Sequence, residues 1–212
     1  MQTQLLNDHQ INAKIGTNII GKEISEIVCI SLNSRPERQE KIKETLKNYP
    51  FRFYIAQLHE NPARGCLESH INCIKYAKEK NLKNILILED DAKLVDNLEN
   101  LPEFPDDWQM IYFGGLCVNV IGYNGEWIRG NFYCGHAYLI SETLYDEIIN
   151  NGWNYDGPLD HFYVKIMHDK CKAYSLKKSS IIQESGYSDI DKKNKWDNFK
   201  WPNVGEMFYV PL

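Results

Sequence analysis

Asn84-Ile85-Leu86-Ile87-Leu88 runs without a break into Glu89-Asp90-Asp91, and this junction constrains the fold more than any other segment. A short apolar run of this kind reads as a buried strand. At the carboxyl end of a parallel strand, side chains emerge into the crevice where such sheets bind ligands. Three adjacent carboxylates repel one another, and water alone relieves little of that repulsion. A hard divalent cation, Mn²⁺ or Mg²⁺, supplies the missing charge, usually on one or two carboxylates plus substrate phosphates. Side chains alternate along a strand, so Glu89 and Asp91 are expected to share a face and to hold the metal. Asp90 is then directed at a ribose or a sugar. A solvated turn after a strand is the plain alternative. A receiver domain also carries acids after an apolar strand, but after its first strand, whereas here the acids begin at residue 89.

The segments around this junction build the same class of fold. Ile27-Val28-Cys29-Ile30-Ser31-Leu32 reads as a first buried strand, and Pro36 stands just inside a helix over Glu37 to Asn48. Phe51 to Ile55 alternates as a second strand. A second helix is expected over Cys66 to Lys80, with Leu67, Ile71, Ile74 and Ala77 at helical spacing. Trp108 to Phe113 reads as a strand closed by Gly114-Gly115, and residues 116–140 as hairpins. Ser141 caps a helix over Glu142 to Asn150 that Gly152 stops. Gly157-Pro158 opens another helix through Met167, and Ala173–Leu176 and Ser180–Ile182 are late strands. Strand–helix–strand units of this kind predict an α/β domain with a mainly parallel sheet flanked by helices. With 212 residues one domain is the default, here residues 24–212, preceded by an extension over residues 1–23.

Composition narrows the partners. The chain is 43% hydrophobic and 25% charged, as expected of a globular protein, and its net charge is −5. No strong Lys/Arg cluster offers itself to nucleic acid. Lys170 to Lys178 holds four lysines, but it reads as a strand with a solvated face. No apolar run of about 18 residues marks a membrane span, and residues 1–23 lack the apolar core of a signal peptide. Six cysteines occur without a CxxC pair, so a zinc reading has little support. Cys66 and Cys73 read as small buried hydrophobes on one helix face, and reduced thiols in the cytoplasm are expected.

Four blocks in order carry a resemblance. They are Val28-Cys29-Ile30-Ser31-Leu32-Asn33-Ser34-Arg35-Pro36-Glu37-Arg38, Gly65-Cys66-Leu67-Glu68-Ser69-His70, the Glu89-Asp90-Asp91 strand end, and a late group. The late group comprises Trp108 to Gly115, Gly135-His136-Ala137-Tyr138-Leu139-Ile140-Ser141, Gln183 and Ser188-Asp189-Ile190. Together they resemble glycosyltransferase family 25, which contains lipooligosaccharide and collagen galactosyltransferases. Glu68 departs from the family pattern, which is apolar there. The resemblance implies a GT-A type fold, a UDP-sugar donor, a glycan or protein acceptor, and transfer of a hexose (galactose or glucose) with inversion.

Inverting transfer is a single displacement with three tasks. The leaving diphosphate needs charge stabilisation, which a metal supplies. The acceptor hydroxyl needs a base, and both substrates must be held in line. Arg35 and Arg38 follow the first strand and are candidates for binding donor phosphate or uracil oxygens. Two surface arginines are the bland alternative. His70, on the second helix, is a candidate donor contact or a satisfied buried histidine. His136 reaches the site by resemblance. Asp160 is the candidate base, against the alternative that it caps a helix start, with His161 as its rival. A sugar nucleotidyltransferase would want a Gly-rich phosphate loop after the first strand, and Asn33 to Glu37 contains no glycine. A catalytically inactive homologue that binds carbohydrate or nucleotide sugar is the non-enzymatic alternative.

Overall fold

The structure, a computed structural model, describes residues 24–167 and 169–195. The expected N-terminal extension and the last residues of the chain lie outside that range. The order is β1 (Ile27–Leu32), α1 (Pro36–Thr45), β2 (Arg52–Ala56), α2 (Pro62–Glu79), β3 (Asn84–Glu89), β4 (Ala92–Leu94), β5 (Met110–Tyr112), β6 (Leu116–Asn124), β7 (Trp127–Tyr133) and β8 (Ala137–Ser141). Then come α3 (Tyr145–Gly152), α4 (Leu159–Phe162), β9 (Ala173–Leu176), β10 (Ile181–Gln183), β11 (Gly186–Ser188) and β12 (Lys193–Lys195).

Eight strands form one sheet in the order β2-β1-β3-β8-β5-β9-β7-β6. β1 pairs in parallel with β2 and β3, and β5 with β9, whereas β8 and β7 run against their neighbours. The remaining strands all point one way, so the sheet is mainly parallel in direction although its pairings are mixed. Strand periodicity explains its two cores. Val28, Ile30, Ile85 and Ile87 face α2, α3 and α4. Ile27, Cys29, Leu86 and Leu88 face the other way, toward Ile42 and Leu46 at α1. A run buried on both faces has no polar alternation, which is why β3 reads as continuous apolar sequence.

Three local expectations are revised. α2 starts four residues before Cys66, because Asn61 caps it and Pro62 occupies its first turn. The helix after Pro158 is a single turn that continues as a π-helical turn over Tyr163–Met167. The lysine-containing segment does not present a solvated strand face: all four residues of β9 are buried, and the lysines lie outside it.

Gly114, between β5 and β6, marks a close backbone approach. A Cβ there would stand 1.9 Å from the Ile181 carbonyl oxygen, and Ile181 in turn donates its N–H to the Phe113 carbonyl. Gly114→Ala is expected to cost about 1–3 kcal/mol, because neither backbone can yield without breaking this link. Urea denaturation checks it, and an unchanged midpoint would contradict the contact.

Candidate active site

Strand parity distributes the three acids. Glu89 follows Ile85 and Ile87 onto the α2 side, and Asp90 falls on the α1 side. β3 ends at Glu89, so Asp90 and Asp91 form a turn rather than two more strand residues. Each carboxylate meets a different element. Glu89 Oε1 lies 3.2 Å from His70 Nε2 and 3.8 Å from Cys66 Sγ, both on α2. Asp90 accepts from the Ser31 hydroxyl at 2.6 Å and from Arg38 Nη1 at 3.1 Å. Asp91 accepts from Gln183 Nε2 at 3.1 Å and pairs with Arg38 at 3.5 Å. Its second oxygen, Oδ1, is buried and has no hydrogen-bond partner.

Electrostatics separates the three as well. Burial pushes Asp91 up to about 7, with the charge of Glu89 next and Gln183 and Arg38 opposing. Burial also raises Asp90, against Ser31 and Arg38. Burial would raise Glu89 too, but the hydrogen bond and electrostatic pull of His70 outweigh it and hold this carboxyl below its ordinary value.

These groups open on one cleft of about 830 Å³ at the carboxyl ends of β1 and β3. Arg35, Arg38, His70, Glu89, Asp90, Asp91, Asp160 and His161 all line it. Arg35 and Arg38 come from α1 and the turn before it, on one face of the sheet. Asp160 comes from α4, whose Leu159 and Phe162 pack in the core on the opposite face. Gly135 allows α4 to sit close, since a Cβ there would meet Leu159 Cδ2 at 2.4 Å. Asp160 Oδ1 also accepts the His161 N–H at 2.9 Å, so it serves the helix start as well as facing the cleft. His161 packs its ring on Tyr133 with 5.4 Å between centroids.

The hairpin of β11 and β12 flanks the same cleft and engages both arginines. Arg35 Nη2 reaches both Asp189 oxygens at 3.1 Å, and Arg38 donates to the Tyr187 carbonyl at 3.0 Å. His70 is 1% exposed, and its Nδ1 lies 2.5 Å from the Tyr138 hydroxyl. It therefore satisfies a buried hydrogen bond and still reaches the cleft. His136, expected at the donor, does not line the cleft. It is buried, its Nε2 faces the Ile181 carbonyl at 3.2 Å, and its own carbonyl accepts the Glu89 N–H. It thereby extends the pairing of β8 with β3 by one residue.

Sequence reasoning missed Ser31, Tyr138 and the place of Cys66 beside Glu89. Ser31 had a usable signal, since a polar residue sat near the end of an otherwise apolar strand. The departure at Glu68 has a local cause: Glu68 accepts from Arg64 at 2.7 Å, and Arg64 ties α2 to the Trp153 and Tyr155 carbonyls.

The fold is GT-A-like: the chain resembles a crystal structure described as a glycosyltransferase involved in glycosylation of the major capsid of PBCV-1, with a TM-score of 0.53 and 10% identity, over 79% of this chain and 96% of that one. Residues 60–116 match glycosyltransferase family 25, described as an LPS biosynthesis protein, and this match bears out the family resemblance over the Gly65–His70, Glu89–Asp91 and Trp108–Gly115 blocks. No curated protein matches the chain by sequence. More distant likenesses include a Drosophila β-1,4-galactosyltransferase 7 mutant in complex with manganese, UDP-Gal and xylobiose (TM-score 0.45, 12% identity, 80% of this chain and 74% of that one). A CTP:phosphocholine cytidylyltransferase from Streptococcus pneumoniae scores 0.46 at 14% identity, over 77% and 75% of the two chains. Family match and fold together support a sugar transferase. Among the described residues, no helix is long and apolar enough to cross a membrane.

Proposed function

We propose that this protein is an inverting glycosyltransferase that moves a hexose, galactose or glucose, from a UDP-sugar to an acceptor hydroxyl on a glycan or protein. The observation that carries the reading is the arrangement of the cleft. Arg35, Arg38, Asp90 and Asp91 stand on the α1 flank, whereas Glu89 and Asp160 stand on the flank of α2 and α4. An in-line displacement needs that polarity, with the leaving group on one side and the base on the other.

The chain's residues fit a divalent cation, Mn²⁺ or Mg²⁺. Asp91 keeps a buried oxygen without a partner, and its carboxyl is pushed up to about 7 by burial and by Glu89. Asp91, with Glu89 beside it, would hold the ion. When bound, the cation would neutralise charge on the leaving diphosphate. Arg38 is already oriented by Asp90 and presents its guanidinium along the same wall, and Arg35 extends the cationic edge. Asp90, fixed by Ser31 and Arg38, is placed for a donor hydroxyl. Asp160 takes the proton from the acceptor hydroxyl. His136 acts on the donor through Glu89, whose backbone N–H its carbonyl accepts and whose charge its ring feels. All six cysteines are free, which fits a reducing compartment and a cytoplasmic setting.

A thermal-shift screen of nucleotide sugars with and without Mn²⁺ tests the donor. UDP-hexoses are expected to stabilise the protein in Mn²⁺ by about 2.7 kcal/mol at a hundredfold excess over Kd. A shift with CDP- or GDP-sugars alone would overturn the donor assignment.

A further inference from the structure

We propose that Cys66, His70 and Glu89 form a second metal site, for a thiophilic divalent cation of the zinc class. The proposal rests on the geometry of this cluster, which shares Glu89 with the cation site of the transferase reading. Cys66 and His70 are one helical turn apart on α2, so their side chains project from the same face. β3 delivers Glu89 to that face by strand parity. Glu89 Oε1 lies 3.2 Å from His70 Nε2 and 3.8 Å from Cys66 Sγ, and the three ligand atoms all lie within 4.8 Å of one another. Tetrahedral zinc, with bonds of about 2.0–2.3 Å, separates its ligand atoms by about 3.3–3.6 Å. Small side-chain adjustments close that difference.

The surroundings are those of a metal-bound histidine. The ring nitrogen turned away from the cluster, Nδ1, lies 2.5 Å from the Tyr138 hydroxyl, which is 3.2 Å from that of Tyr163. Such a partner orients a ligating imidazole and fixes its tautomer. On loading, the His70 proton resides on Nδ1 and is donated to Tyr138, leaving Nε2 for the metal. The Cys66 thiol loses one proton to solvent. Thiolate and carboxylate then balance a 2+ charge around a neutral imidazole. All three residues line the cleft, so three protein ligands leave a fourth position facing it.

Ligand softness separates this site from the oxygen site at Asp91. A sulfur and an imidazole select zinc-class ions, whereas carboxylates suit Mg²⁺ and Mn²⁺. Glu89 borders both. Zinc-class ions held here would withdraw it from the neighbouring cation.

The full chain, stripped of metal, is titrated with Co²⁺ and followed by absorption. One equivalent should produce a thiolate-to-cobalt charge-transfer band with tetrahedral d–d bands, displaced by Zn²⁺. Cys66→Ser should abolish the charge-transfer band, and Cys73→Ser, a core position on the same helix, should retain it. Circular dichroism confirms that each variant folds. X-ray absorption of the zinc-loaded wild type gives a readout that needs no variant, with one sulfur expected among nitrogen and oxygen neighbours. A wild type without a thiolate band, a band that survives Cys66→Ser, or a zinc shell without sulfur would each overturn the site.

Discussion

Asp160→Asn is expected to bind UDP about as well as the wild type and to transfer sugar about 10²–10⁴-fold more slowly. The prediction follows from the position of Asp160 on the α4 flank of the cleft, across from Arg35, Arg38, Asp90 and Asp91 on the α1 flank. Its other role tests the assignment. Asp160 accepts the His161 N–H at 2.9 Å, as residues at helix starts do. Asparagine keeps an acceptor oxygen, so a purely capping Asp160 would be replaced with a stability change well below about 1 kcal/mol and normal turnover. A transfer rate, a melting temperature and a UDP affinity on the same variant separate the two roles. Normal turnover would refute the base and shift attention to His161, which lines the same cleft. Until an acceptor is known, slow hydrolysis of the donor by water stands in for transfer.

Asp91→Asn is expected to lose metal-dependent UDP binding and turnover together, while making the metal-free protein more stable. The second effect has a sign that a simple loss of contacts would not produce. The folded carboxyl, at about 7, stands above its ordinary value of 3.8, so protonation favours the fold. The cost of ionising this buried group is absent below the ordinary value, develops between the two values, and is complete above about 7. The side chain is only 19% exposed, so solvent screens little of it. The gain from Asp91→Asn in chelator should therefore be on the order of a few kcal/mol near pH 8 and clearly smaller near pH 5. Denaturant titrations at the two pH values check it. A loss of stability at both would mean that Asp91 is held by partners rather than waiting for a cation. Protons and metal compete for the same oxygens, so Mn²⁺ binding should also weaken as pH falls below about 7.

Much of this site was legible because it lies where strand order is local. β1, α1, β2, α2 and β3 follow one another along the chain, and the parallel triplet β2-β1-β3 brings Arg35, Arg38 and the acids to one sheet end. The same triplet places Ile30 opposite Glu89, which sets Ser31 beside Asp90. What sequence could not provide was the directions in which the acids point. Alternation would have continued through Asp91 had the strand continued, but it stops at Glu89. The turn then hands Asp91 to Gln183, on a strand more than ninety residues away in the chain. Strand direction in the second half was equally hidden. A hairpin over residues 116–140 was readable, yet nothing in it shows that β9 slots between β5 and β7. β11 and β12 are three residues each and polar, so no periodicity announces them, although they engage both arginines. Cys66 reads as a small helix hydrophobe until β3 is seen to bring Glu89 against it. His136 carries a motif position, but its side chain is buried against the Ile181 carbonyl and does not line the cleft.

The proposed cleft holds a nucleotide diphosphate together with a divalent cation. Calorimetric titration of the wild type with UDP, in Mn²⁺ and again in chelator, tests it most directly. Measurable binding is expected in Mn²⁺, weakening at least about tenfold in chelator, a difference of about 1.4 kcal/mol or more. Equal affinity under both conditions, or no UDP binding under either, would contradict it.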